Sequence, residues 1–188
     1  MSLPLFIAVP LPADIAQRLA GLGGGVPGAN WVPAENMHVT LRYLGELDGM
    51  MTDDVCACLA GIAASPFEIA VDGVDHFGSR KEAHVVYAGV QPREPLKRLR
   101  DKIEISLQRI GIKADERKYQ PHFTLARMRR GNADCVGRFL EANGLLMSQP
   151  FRVDAFCLYE SARGRDGAIY NELERYTLWP VIEPTEEE

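Results

Sequence analysis

His38-Val39-Thr40-Leu41 and His122-Phe123-Thr124-Leu125 repeat one tetrapeptide pattern at a spacing of 84 residues, close to half of the chain. Both copies read as strands. Asn36–Leu44 and Pro121–Ala126 are rich in β-branched, aromatic and aliphatic residues and run into polar or glycine-containing turns. Side chains two apart on a strand share a face. His38 and Thr40 therefore point one way, with Val39 and Leu41 behind them. His122 and Thr124 repeat this in front of Phe123 and Leu125. Each copy offers an imidazole and a hydroxyl on one face and anchors itself in a core by the other. One such match is expected by chance in roughly one chain of this size in fifty, and two in on the order of a few in ten thousand. The pair therefore weighs far more than either copy alone.

The repeat extends beyond the motif. At the same offset Pro66-Phe67 matches Pro150-Phe151, each opening a strand-like run. The helix-like segment after Pro12 aligns with the one after Pro95, and Thr52–Ala64 aligns with Asn132–Asn143. Each half reads helix, H-x-T strand, helix, strand, strand. Such a repeat implies duplication and two similar lobes. Lobes facing each other across a pseudo-twofold axis would bring two His and two Thr to one cleft.

Outward from the motifs, Leu3–Val9 reads as a buried strand and Pro12–Leu22 as a helix stopped by Gly23-Gly24-Gly25. Val26–Asn36 reads as a loop. Thr52 is expected to cap a helix running to Ala64, with Asp53 and Asp54 at its positive end. Phe67–Phe77 and Ala83–Val90 read as strands joined by a turn at Gly78-Ser79-Arg80-Lys81. Pro95–Ile110 is an amphipathic helix with Leu96, Leu99, Ile103, Leu107 and Ile110 along one stripe, closed by Gly111. A charged loop, Lys113–Gln120, leads to the second motif, and Arg127, Arg129 and Arg130 are expected just after its strand. Asn132 caps a helix to Glu141. Phe151–Glu160 and Ala168–Trp179 are the last strands, and Pro184–Glu188 is an acidic tail expected to be disordered.

A chain of 188 residues is enough for one compact domain or two small lobes sharing a core, and no linker divides it. Hydrophobic content of 46% and charged content of 25% are those of a soluble globular protein. A net charge of −5 argues against broad nonspecific duplex binding while leaving room for a local basic cleft. Cys56, Cys58, Cys135 and Cys157 include no CxxC pair, so neither a zinc site nor a disulfide framework is expected, and a reducing cytoplasm fits. The apolar start lacks a basic n-region, and no apolar run is long enough to span a membrane.

With these segments in place, the chain resembles the two-histidine (2H) phosphoesterases, of the RNA 2′,3′-cyclic phosphodiesterase type also called 2′–5′ RNA ligase-like. The matching segments are Phe6–Val9, Glu35–Gly45 and Pro121–Arg127, with Leu158–Ser161 and Tyr170–Leu173 near the end. The resemblance implies an α+β bilobal fold, two pseudo-symmetric lobes whose antiparallel sheets line a central cleft with helices outside. The expected unit is a single domain over residues 1–183. The resemblance also implies metal-independent hydrolysis of 2′,3′-cyclic phosphate RNA ends, tRNA fragments among them, to 2′-phosphomonoesters, with 2′–5′ ligation in reverse. The protein would act as a cytoplasmic monomer, without cofactor, metal or membrane.

Opening a cyclic phosphodiester needs a base for the attacking water, an acid for the leaving sugar oxygen, and donors for the non-bridging oxygens. Imidazole, with an ordinary pKa of about 6.5, suits both proton roles. Thr40 and Thr124 suit the oxygens, and Arg127 adds charge-assisted donors. The order, His38 as proton donor and His122 as proton acceptor, comes from the resemblance, because pseudo-symmetry cannot fix it. His76 and His84 lack a Thr two residues on and are expected to be structural or exposed. A metal hydrolase would want three or more ligands. Arg117, Lys118, Arg129 and Arg130 are candidates for a phosphate-binding rim, with a solvated charged loop as the alternative. Tyr43, Phe77 and Tyr119 are candidates for base stacking, against core roles. Two further functions remain open: a phosphoesterase for small cyclic nucleotides or 2′–5′ oligonucleotides, and a non-catalytic RNA- or nucleotide-binding module.

Overall fold

The computed structural model of the chain describes residues 4–79, 82–164 and 167–180, with backbone alone at Arg130 and Gly131. Within these the order is β1 (Pro4–Pro10), α1 (Ala13–Ala20), β2 (Asn30–Trp31), a 3-10 turn (Ala34–Asn36), β3 (His38–Glu46), α2 (Gly49–Ala60), β4 (Phe67–Ser79) and β5 (Glu82–Gln91). Then follow α3 (Glu94–Arg109), β6 (Phe123–Gly131), α4 (Ala133–Asn143), β7 (Phe151–Val153), β8 (Ala155–Arg163) and β9 (Ala168–Thr177). The fold is α+β. Its nine strands form one open antiparallel sheet in the order β7-β4-β5-β6-β3-β1-β8-β9, with β2 beside β6. The two lobes thus join edge to edge, at β6 and β3.

Alternation along the strands decides what each face of the sheet does. Leu5, Ile7 and Val9 of β1, Val39 and Leu41 of β3, Val86, Ala88 and Val90 of β5, and Phe156 and Leu158 of β8 all enter one hydrophobic core. The helices close that core with Ala16 and Leu19, Val55 and Leu59, Leu96, Leu99, Ile103 and Leu107, and Val136 and Phe139. Intervening residues such as Phe6, Tyr87 and Tyr159 are left for the other face, where the cleft lies.

Several boundaries differ from the sequence-based expectation. Helix α2 starts at Gly49, capped by Asp48, whose carboxylate accepts the Met51 N–H at 2.8 Å. Thr52 sits inside that first turn and donates its hydroxyl to the Asp48 carbonyl at 2.8 Å, so it is not the cap. The helix ends at Ala60, before Gly61, rather than at Ala64. The run Phe151–Glu160 is two strands. The short β7 pairs with β4, and β8 pairs with β1 in the other lobe. The break falls at Asp154, whose carbonyl accepts the Leu178 N–H at 2.7 Å. The loop Val26–Asn36 contains β2 and the 3-10 turn. Arg127, Arg129 and Arg130 lie in β6, not beyond it, while His122 precedes it. Asn132 caps α4 as expected, accepting the Asp134 and Cys135 N–H groups. The tail Pro184–Glu188 and the turn residues Arg80 and Lys81 lie outside the described residues.

Candidate active site

The two motifs meet where Val39 of β3 pairs with Phe123 of β6. Both of these side chains go into the core, so positions 38, 40, 122 and 124 take the opposite face. In this register His38 lies across from Thr124, and Thr40 across from His122. The imidazoles occupy one diagonal of the quartet. Diagonal neighbours on an antiparallel pair stand roughly 7–8 Å apart, a spacing that suits one phosphate held between two ring edges. Beyond the Val39–Phe123 pair the strands part company. On one side β2 takes the edge of β6, pairing Asn30 with Arg127 and Trp31 with Ala126. On the other, the Tyr119 hydroxyl donates to the Thr40 carbonyl at 3.2 Å.

Each ring is fixed in the same way. Nδ1 of His38 lies 2.8 Å from the Asn36 carbonyl oxygen, and Nδ1 of His122 lies 2.7 Å from that of Gln120. A carbonyl only accepts, so Nδ1 carries the hydrogen in both rings and Nε2 is the atom left for chemistry. Nε2 of His38 is 3.1 Å from Thr40 Oγ1. The carbonyls are themselves tied down. The Asn36 side chain donates to the Ala168 carbonyl at 2.7 Å, and the Gln120 amide donates to the Tyr87 hydroxyl at 2.7 Å.

Aromatic rings back both imidazoles. Phe6 lies 4.9 Å from His38 and stacks on Tyr159 at 5.2 Å, while Tyr170 meets the same imidazole edge-on at 5.3 Å. Phe77 meets His122 edge-on at 4.9 Å and stacks on Tyr87, which lies 5.1 Å from that imidazole. Burial among these rings pushes the His38 pKa down to about 4. Arg127 and His122 push the same way, and the Asn36 hydrogen bond opposes them. His122 is also lowered, chiefly by burial, with Arg127 adding to the effect. Both rings are therefore neutral near pH 7 in the protein alone.

A β-bulge accounts for the reach of Arg127. Tyr87 pairs with Thr124 and Val86 with Ala126, so the register slips by one residue at Leu125. Strict alternation would send Arg127 to the core with Phe123; the slip returns it to the face of His122 and Thr124. Arg129, two residues on, shares that exposed face. The same slip occurs at Leu41, where Ala8 pairs with Thr40 but Ile7 with Arg42. It turns Arg42 to the helix side and Tyr43 to the cleft side, where Tyr43 is 49% exposed.

The proposed set His38, Thr40, His122, Thr124 and Arg127 thus shares one cleft face. The other candidates divide. Arg117 is clasped by Asp115 at 2.8 and 2.9 Å. Tyr119 is half-buried beneath Arg100, and Phe77 supports His122. The side chain of Arg130 lies outside the described residues. His76 is on the opposite face of β4 from Phe77, lining a hollow of about 490 Å³ with Val136 and Leu140. His84 is exposed, with Nδ1 against the Arg129 carbonyl at 3.1 Å. A cavity of about 350 Å³ opens beside His38, lined in part by Gln17, Glu35, Tyr159 and Tyr170. Phe6, Tyr159 and Tyr170 fall in segments that carry the resemblance, but their contact with His38 was not expected, because they reach it from strands near both ends of the chain. Among the described residues no three His, Cys, Asp or Glu side chains converge as metal ligands would, and no helix is long and apolar enough to cross a membrane.

Residues 11–165 match the 2′-5′ RNA ligase superfamily. The chain belongs to this superfamily. It is 30% identical over 176 residues to an RNA 2′,3′-cyclic phosphodiesterase of Archaeoglobus fulgidus, covering 90% of this chain and 97% of that one. It is 32% identical over 134 residues to an RNA 2′,3′-cyclic phosphodiesterase of Geobacillus stearothermophilus; the match takes in 68% of this chain but spans only 43% of that longer relative. Among solved structures it superposes on Escherichia coli LigT complexed with 3′-AMP, with a TM-score of 0.76 and 26% identity, over 95% of this chain and 99% of that one. The 2′-5′ RNA ligase superfamily match covers both H-x-T motifs and Arg127.

Proposed function

We propose that this chain opens 2′,3′-cyclic phosphodiester ends of RNA to 2′-phosphomonoesters by acid–base catalysis between two histidines, without metal or cofactor. The observation that carries this is the matched pair of imidazoles, each with Nδ1 spent on a backbone carbonyl and Nε2 left to a common cleft. His122 Nε2 takes a proton from water as the water oxygen attacks phosphorus. The P–O3′ bond breaks in line, and His38 gives its Nε2 proton to O3′. O2′ stays on phosphorus, and exchange with solvent resets both rings. The Thr40 and Thr124 hydroxyls and the Arg127 guanidinium donate to the non-bridging oxygens, where charge accumulates. His38 is neutral in the protein alone, so it takes up its proton as the anionic phosphodiester arrives and favours the imidazolium.

The names of the relatives support this reading, and so does the cleft. Tyr43 presents an exposed ring on the face of His38 and Thr40, placed to stack a terminal base. Arg129 on the His122 side is placed to hold a further phosphate. On this reading the unit is one bilobal domain over residues 1–183, duplicated at the 84-residue offset, working as a cytoplasmic monomer on RNA ends such as tRNA fragments.

The test is incubation with an oligonucleotide ending in a 2′,3′-cyclic phosphate, with and without EDTA, and identification of the product. A 2′-phosphate formed at equal rates in both is expected. A 3′-phosphate overturns the assigned leaving group, and complete inhibition by EDTA points to a metal enzyme. Turnover confined to free cyclic nucleotides or 2′–5′ oligonucleotides selects the small-substrate phosphoesterase. Binding without turnover selects the nucleotide-binding module.

A further inference from the structure

We infer that the charge cluster of Arg42 and Glu104, both buried, with the partly buried Arg100 and Asp115 is a positioning device for His122, acting through the segment 113–120; this rests on the catalytic role proposed for His122. Among the described residues, Arg42 and Glu104 are the buried charged side chains, at 9% and 6% exposure. Arg42 is there because the slip at Leu41 turns it to the helix side of β3, opposite Ile7. Its Nε lies 3.2 Å from Glu104 Oε1, and its Nη1 lies 3.4 Å from Asp115 Oδ2. Arg100, one turn before Glu104 on α3, lies 3.4 Å from Glu104 Oε2.

What the cluster grips is backbone. Arg42 donates to the Lys113 carbonyl, Arg100 donates to the Asp115 carbonyl at 3.1 Å, and the Asp115 N–H donates to Glu104 at 3.2 Å. Most of this segment has no helix or ladder to fix its path from α3 to β6. It is fastened first at 113–115, then at Tyr119 by Arg100 above the ring and by the Thr40 carbonyl, and last at Gln120 by Tyr87. The next fastening is the Gln120 carbonyl on His122 Nδ1. The cluster therefore sets the carbonyl that sets the ring. It also ties that ring to β3, the strand of His38. His38 has no such strap and is held from β9 through Asn36. Buried ion pairs add little net stability compared with apolar packing, and in some proteins their role is to fix one geometry. A loop that must place one atom is where that property is useful.

The experiment uses Glu104→Gln, which keeps the shape and removes the charge, and Tyr119→Phe, which removes one hydroxyl and leaves the ring. Imidazole nitrogen NMR on the full chain reads the tautomer and titration of each histidine, with His38 as the internal control. In Glu104→Gln, His122 is expected to lose its Nδ1–H preference and titrate closer to an ordinary histidine while His38 is unchanged. Turnover of a cyclic phosphate end falls roughly 10- to 100-fold in kcat with little change in KM. Tyr119→Phe moves His122 in the same direction by less, and decides the matter if Glu104→Gln does not fold. An unchanged His122 in both variants overturns the inference. So do equal changes at both histidines with lost melting cooperativity, which would mean a general structural role. The NMR readout needs no substrate, so a failed RNA assay and a failed positioning role are told apart.

Discussion

Phe123 stands opposite Val39, and through that pair the half of the sheet ending in β7 meets the half ending in β9. Each half contributes one imidazole immediately before its residue of the pair. Removing either ring should remove one proton transfer and leave the other half intact. His38→Ala and His122→Ala are each expected to lose roughly 10²–10⁴ in rate, and the double variant little more, since the two act as a unit. The order of roles is read with an aryl phosphodiester, whose leaving group needs no proton. Loss of the acid then matters little and loss of the base matters as before. A His38→Ala variant equally crippled on aryl and ribose substrates would reverse the assignment.

Arg127 faces the cleft only because the register slips at Leu125, and its charge bears on both rings. Arg127→Ala should lower kcat/KM by roughly 10- to 150-fold, the worth of a charge-assisted hydrogen bond to an ionised group. The same change relieves a positive neighbour of both imidazoles, so their pKa values should rise. Titration of the two rings by NMR, with and without inorganic phosphate, checks both effects. Rings that titrate as before would place the guanidinium outside the site.

The pH dependence follows from burial. His38 is held at about 4 against an ordinary 6.5, and His122 is also lowered. The free protein is competent when one ring is protonated and the other is not. The kcat/KM optimum should therefore lie on the acid side of pH 6.5 and fall as pH rises, while the kcat profile sits higher because bound phosphate favours imidazolium. Stability moves the other way. Between pH 6.5 and about 4 the unfolded chain protonates this histidine and the folded chain resists, so stability is lost as pH falls through that window. The loss is about 3 kcal/mol at most by pH 4. Urea midpoints across this range should drop less in His38→Asn.

Much of this was legible in the sequence, and what was not has a common cause. The H-x-T alternation, the stripe of α3 and the Asn132 cap are local patterns, and they read correctly. The face of Arg127 depends on a slip between β5 and β6, which no spacing within β6 reports. The break at Asp154 depends on β7 and β8 pairing with strands of different lobes, and no glycine or proline within the run marks it. Asn36 and Gln120 act through backbone carbonyls, which any residue carries. Phe6, Tyr159 and Tyr170 converge on His38 from strands far apart in sequence.

The start of α2 gives a compact test of one such boundary. Thr52 followed by two aspartates looks like a helix start, but Asp48 and Gly49 already provide one. The Asp48 carboxylate satisfies the Met51 N–H, one of the orphan donors of the first turn. Asp48→Ala should therefore cost about 1 kcal/mol, the usual worth of a cap. The Thr52 hydroxyl donates to a carbonyl that already accepts the Thr52 N–H at 2.9 Å, so its loss strands no group. Thr52→Ala is expected to be close to neutral, helped by the higher helix propensity of alanine. Chemical denaturation of the two variants side by side checks this. A larger loss in Thr52→Ala would mean that α2 begins four residues later than it does in the fold described above.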